Sequence, residues 1–87
     1  MSDATPPAAH PRDLSATMAF DPMVGLADLE AHLTTLKDEA TLLGYPFDRH
    51  GVRNELQAAT FRLREAAAVE LVLSPSGAIA IVATTNR

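Results

Sequence analysis

The chain has no cysteine and no tryptophan, one tyrosine (Tyr45), one lysine (Lys37) and four isolated glycines at 25, 44, 51 and 77. Each shortage excludes something. Without cysteine there is no disulfide and no thiol nucleophile, and the three scattered histidines (His10, His32, His50) do not make a structural zinc site. Isolated glycines cannot form a glycine-rich phosphate loop. No apolar run approaches the roughly 18 residues of a membrane helix, and the N-terminus lacks the basic start and apolar core of a signal peptide. A formal net charge of −4 argues against a phosphate-backbone binder. The expectation is a cytoplasmic protein with no nucleic-acid or membrane partner.

What is present is compressed into 87 residues. A domain of that size buries only about 60–65% of its unfolded surface, so its own core is marginal. Met1 to Pro11 holds three of the six prolines among small and polar residues. Such a segment cannot offset its ordering entropy, so residues 1–11 are expected to be a disordered tail and 12–87 one domain. His10, in that tail, has no rigid scaffold for a metal or catalytic role.

From Arg12 to Phe20 the pattern alternates, with Leu14, Ala16, Met18 and Phe20 on one side, which predicts a half-buried strand. Asp21-Pro22 ends it, and Gly25 lets the chain turn. Leu26, Leu29, Leu33, Leu36, Ala40 and Leu43 then recur every three or four residues, predicting a helix from Leu26 to Gly44. Asp28 and Glu30 suit its first turn. A second helix is expected to open at Asp48 as N-cap, with a Phe47–Val52 staple and Val52, Leu56, Ala59 and Leu63 buried. Its charges, Arg49, Arg53, Glu55, Arg62 and Arg64, read as a solvated face. Ala68 to Ala83 predicts a hairpin turning at Ser74-Pro75-Ser76-Gly77. Val72 and Val82 make its second face partly apolar, so the sheet is expected to be covered on both sides. The order strand, helix, helix, strand, strand gives an α+β fold with two helices on one face of a small antiparallel sheet. Ala78 to Ala83 is uncharged and β-prone, and as an open edge it would invite a second copy or a partner chain.

The residues alone yield no active site. Ser74 and Ser76 belong to a turn, His32 and His50 to helices, and Glu30, Asp38 and Glu39 read as ordinary surface carboxylates. A Schiff-base lysine needs a desolvated pocket, whereas Lys37 lies beside Asp38 and Glu39 at the margin of the leucine stripe. No catalytic, cofactor-binding or metal residue is predicted.

Three segments nevertheless form an ordered series: Thr17-Met18-Ala19-Phe20-Asp21-Pro22, then Gly25…Leu29-Glu30-Ala31-His32-Leu33…Leu36, then Gly44-Tyr45-Pro46-Phe47-Asp48. The series resembles the N-terminal small domain of class IV aminotransferases, pyridoxal-phosphate enzymes of fold type IV. The nearest branch is aminodeoxychorismate lyase of the p-aminobenzoate and folate route, including versions fused to the chorismate-using synthase. Arg53-Asn54-Glu55-Leu56 and Leu71-Val72-Leu73-Ser74-Pro75-Ser76-Gly77-Ala78 extend the likeness over roughly Asp13 to Val82.

The departures carry as much meaning. Where the family's first strand has Glu before Thr-Met, this chain has Ala16, and Glu70 stands where the hairpin strand often begins with a basic residue. The family helix reads His-Leu-x-Arg-Leu, its arginine helping to hold the cofactor phosphate. Here His32-Leu33-Thr34-Thr35-Leu36 puts Thr35 in the arginine's position. A charge-assisted contact worth about 1.5–3 kcal/mol is lost with it. The Schiff-base lysine belongs to the family's large domain, outside these 87 residues. The resemblance therefore implies a pyridoxal-phosphate small domain that is inactive alone and binds no cofactor by itself. Alternatively, it implies a subunit that docks on a separate large domain or synthase, or a self-associating structural module.

Overall fold

The computed structural model describes residues 12–85; the tail expected over 1–11 lies outside the described residues. Six elements follow in order: β1 (Leu14–Asp21), β2 (Gly25–Leu26), α1 (Leu29–Leu43), α2 (Arg49–Thr60), β3 (Ala67–Leu73) and β4 (Ile79–Thr85). The strands form one antiparallel sheet in the order β2-β1-β3-β4. Both helices cover the same face, so the fold is α+β as the periodicities predict.

Alternation in β1 is obeyed: Met18 and Phe20 are buried and Leu14 and Ala16 half-buried, while Ser15, Thr17 and Ala19 are exposed. Opposite them Ala67, Val69, Leu71 and Leu73 of β3 are all buried. With Leu33, Leu36, Ala40, Val52 and Leu56 from the helices they make a single core. A fully buried leucine contributes about 1.5–3 kcal/mol relative to exposure, and Leu33, Leu36, Leu56, Leu71 and Leu73 have almost no exposed surface.

The structure corrects the sequence reading in several places. A two-residue strand, β2, precedes the first helix, and Leu26 belongs to it rather than to the helix. The helix starts at Leu29 because Asp28 takes a left-handed conformation, φ 53°. Asp28 thus stands at the N-cap, outside the first turn, and its side chain makes no capping bond. Leu43 is half exposed, because it is the last residue of the helix, which Gly44 closes in a Schellman turn. Gly44 at φ 79° lets the Tyr45 amide donate to Ala40 O at 2.8 Å and its own amide to Thr41 O at 3.3 Å. Tyr45, packed against the core, closes that end, and its hydroxyl donates to Arg12 O at 2.7 Å.

In α2 the buried stripe is Val52, Leu56 and Thr60, with Ala59 exposed and Leu63 half-buried. Thr60 can be buried because its hydroxyl donates to Leu56 O at 2.9 Å, one turn back. Asp48 holds the N-cap position without a side-chain bond. The β3–β4 turn has the predicted chemistry: Gly77 donates to Ser74 O at 2.9 Å and sits at φ 93°. A Cβ there would also lie 2.9 Å from Pro46 Cβ, so the turn presses on the inter-helix loop. The second sheet face, expected to be covered, is open among the described residues: Thr17, Ala19, Glu70, Ala80 and Val82 are exposed there.

Candidate functional site

Thr35 is exposed on α1 and lies away from the stripe formed by Leu29, Leu33, Leu36 and Ala40. At about 100° per residue it is roughly 130° from the centre of that stripe. Its neighbours one turn along the helix are Asp38 and Glu39, and one turn back Ala31 and His32. This is an acidic surroundings for a phosphate site. Thr35 itself can offer a hydroxyl but no charge.

Two arginines of the second helix are already engaged with α1. Arg49 and Arg53 stand one turn apart on α2, and both reach across to α1. Arg49 Nη2 donates to Glu30 Oε1 at 2.8 Å and to Glu30 O at 3.0 Å, and its Nη1 donates to Thr34 Oγ1 at 3.0 Å. Arg53 grips the same carboxylate with two bonds, Nε to Oε2 at 3.0 Å and Nη2 to Oε1 at 2.9 Å. Hydrogen bonds from Arg53 and then Arg49 lower the Glu30 carboxyl from 4.5 to about 2, and the same carboxylate raises Arg53 further. Glu30 is therefore no ordinary surface carboxylate, and the two arginines are not simply a solvated face. The cluster ties α2 to α1, and it also offsets Arg49 at the first position of α2, where the helix dipole disfavours a cation. Because Glu30 remains more than half exposed, water and salt screen the pairs and keep their worth small. The clue was present in the sequence: Arg49 and Arg53 share a helix face, as do Glu30 and Thr34, at i, i+4 spacing.

The remaining polar candidates do not converge. His32 is half-buried at the edge of α1, and His50 and Lys37 are exposed on different helices. Among the described residues no three His, Cys, Asp or Glu side chains group as metal ligands, and no helix is long and apolar enough to cross a membrane. One concave region lies elsewhere: Phe20, Val24, Leu26, Leu29 and Phe61, with the polar Gln57 and Thr60, line a shallow groove between β2 and the end of α2. Beside it Met23, Val24 and Phe61 are the most exposed large side chains of this end, at 91, 82 and 85%. Sequence periodicity missed this patch, because each of its members follows the last residue of a regular element or its turn.

Searches against family models and curated proteins return no match. A solved structure does match: the crystal structure of a protein described as a "putative amino-acid aminotransferase" from Mesorhizobium loti superposes with a TM-score of 0.78 at 25% identity. The likeness covers 86% of this chain and 36% of that one. The fold is aminotransferase-like. These 87 residues span little more than a third of the aminotransferase chain they resemble.

That likeness raises the question of pyridoxal phosphate. The residues present do not fit it. Thr35 supplies no cation, Asp38 and Glu39 flank it, and Arg49 and Arg53 are committed to Glu30. Lys37 is exposed and is not in a desolvated pocket of the kind that activates a Schiff-base lysine.

Proposed function

We propose that this chain is the small domain of a pyridoxal-phosphate enzyme of the class IV aminotransferase type, nearest to the aminodeoxychorismate lyases, and that it has no activity alone. The observation that carries the reading is the superposition of nearly all the described residues on about a third of an aminotransferase chain. Thr35, in the place of the family's phosphate arginine, supports the second half of the reading. In the family the cofactor acts as an electron sink on a lysine of the large domain. What these residues supply is a packed layer: the α1 stripe buried against the sheet, with the arginine pairs joining α2 to α1 at the surface.

The test is a titration of the purified chain with pyridoxal phosphate, followed by visible absorbance and dialysis. The expected result is no saturable signal and no retained colour. A stable yellow complex abolished by Lys37→Ala would overturn the reading.

One observation favours a second form of the same proposal, in which the domain works after docking on a large domain or synthase from another polypeptide. The exposed Val24 and Phe61 in the lining of the Phe20 groove are apolar surface of the kind that marks an interaction site. Co-expression with the large domain of such an enzyme, followed by affinity purification, is expected to recover both chains. Phe61→Asp should abolish recovery while leaving the isolated domain folded.

A further inference from the structure

The outer edge of β4 carries a pattern that the functional reading leaves unused. β4 is the last strand of the sheet, seven residues long, with no strand beyond it among the described residues. The direction of its unpaired groups follows from the register. Ser74 donates to Ala78 O at 2.8 Å, so Ala78 is turned towards β3, and with it Ala80, Val82 and Thr84. The alternate residues Ile79, Ile81, Ala83 and Thr85 therefore aim both N–H and C=O away from β3. The opposite edge obeys the same phase: Ala19, two residues from Thr17 and Asp21, accepts from the Ala27 amide at 2.8 Å on the β2 side. Four residues with one donor and one acceptor each leave a row of eight unsatisfied backbone groups on the β4 edge.

Natural edges are blunted by lysine, proline, bulges or short length. The other edge of this sheet is β2 beside Phe20 and Asp21 and, over the rest of its length, the outer side of β1. The β4 edge has none of these devices: Ala78 to Thr85 contains no charge and no proline.

The strand is also complementary to itself. Let two copies of β4 run antiparallel about a two-fold axis through Val82. Ile79 then faces Thr85 of the second copy, Ala80 faces Thr84, Ile81 faces Ala83, and Val82 faces its own counterpart. All four outward residues fall in hydrogen-bonded positions, so four pairs of two bonds give eight main-chain hydrogen bonds. A typical protein interface carries about 10 ± 5. On the helix-covered side each half-buried isoleucine meets a smaller residue, and the shallow groove of Ala58, Ala59, Ile79 and Ile81, with the exposed Glu55 at its margin, lies beside the strand. On the open side Val82, half exposed in the single chain, meets an identical valine. No like charges oppose each other across the strands, although the chain as a whole is acidic.

We infer that the β4 edge is a homodimer interface, in which two copies join antiparallel about Val82 into one continuous eight-stranded sheet. The partner is a second copy of this chain, and this does not depend on the aminotransferase reading. A two-fold contact closes on itself.

The absence of cysteine makes a decisive test possible. Val82→Cys places two sulfurs at a non-hydrogen-bonded pair with Cα atoms about 4.5 Å apart, within the range a disulfide spans. Ala80→Cys does not face itself in this register. Mild oxidation of the full 87-residue chain is expected to convert Val82→Cys to a covalent dimer at least about tenfold faster than Ala80→Cys. Light scattering of the unmodified chain should report a dimer. Val82→Lys and Val82→Glu, each folded by circular dichroism, should each be monomeric through like-charge repulsion at the axis, and should form a heterodimer when mixed. A monomeric unmodified chain, equal crosslinking at the two positions, larger open-ended assemblies, or a Val82→Lys variant that still dimerises would each overturn the inference.

Discussion

The two faces of α1 differ in what they have kept. The inward face places Leu33, Leu36 and Ala40 against β1 and β3 with almost no exposed surface. The outward face presents Ala31, Thr35, Asp38 and Glu39, all exposed. Between them, the flank towards α2 holds Glu30 and Thr34 in the arginine clamp. Folding constrains the first face because a core of this size has no surplus. Nothing in the folding of this domain constrains the second. A single helix thus carries one face fixed by packing and one face that packing leaves free.

Four measurements bear on that contrast, in order of expected size. The inward face should be the most sensitive: Leu36→Ala removes a fully buried side chain and is expected to cost about 2–5 kcal/mol. Urea unfolding followed by circular dichroism would measure it, and for so small a domain the variant should be unfolded or nearly so at 37 °C. A cost under about 1 kcal/mol would mean that the stripe is not the core.

At the C-terminus of the helix, Gly44→Ala is expected to cost about 1–2 kcal/mol through the left-handed backbone alone, because no atom lies within 4 Å of the added Cβ. The same unfolding experiment would register it. Asn, which tolerates that conformation, should recover part of the loss.

The flank should show itself through pH. The Glu30 carboxyl is lowered from 4.5 to about 2 by Arg53 and Arg49. A carboxylate depressed in the folded state stabilises fully above its unfolded value and loses that contribution as pH falls. The melting temperature of the unmodified chain should therefore drop between pH 4.5 and 2 more than that of Glu30→Gln, and the difference should shrink in high salt. Parallel curves for the two proteins would remove the clamp from the account of helix packing.

The outward face should be nearly silent. Thr35→Arg is expected to change stability by less than about 0.5 kcal/mol, as substitutions on an open surface do. Differential scanning calorimetry would check this. A large loss would show that Thr35 has a packing role not visible in its exposure.

How much could be read without the structure depended on the kind of signal. Period two in Leu14–Phe20 and period three to four in Leu29–Ala40 are direct consequences of backbone geometry, and they located β1 and α1 to within a turn. The Ser74–Gly77 turn was legible because proline and glycine restrict or extend φ by themselves. Leu26 misled, since an apolar residue three before Leu29 satisfies helical spacing whether or not the backbone is helical, and only pairing of Leu26 with Phe20 decides for a strand. Ala59 and Thr60 were exchanged in the α2 stripe for a related reason: alanine reads as core and threonine as surface unless the hydroxyl finds Leu56 O. The arginine clamp needed the distance between two helices, which no local rule supplies.

By itself, then, the sequence determined the alternation of β1, the leucine stripe of α1, the turn at Ser74–Gly77, the absence of disulfide and thiol chemistry, and the neutral character of the last strand. These follow from backbone periodicity, φ preferences and side-chain inventory, each local to a few residues. The tertiary structure alone decided that Glu30 is held ionised by Arg49 and Arg53, that Val24 and Phe61 meet in one groove, and that β4 ends the described sheet with its backbone groups turned outward. Those outcomes depend on which segments become neighbours, and the cooperative burial of Leu33, Leu36, Leu56, Leu71 and Leu73 sets that for the whole chain at once.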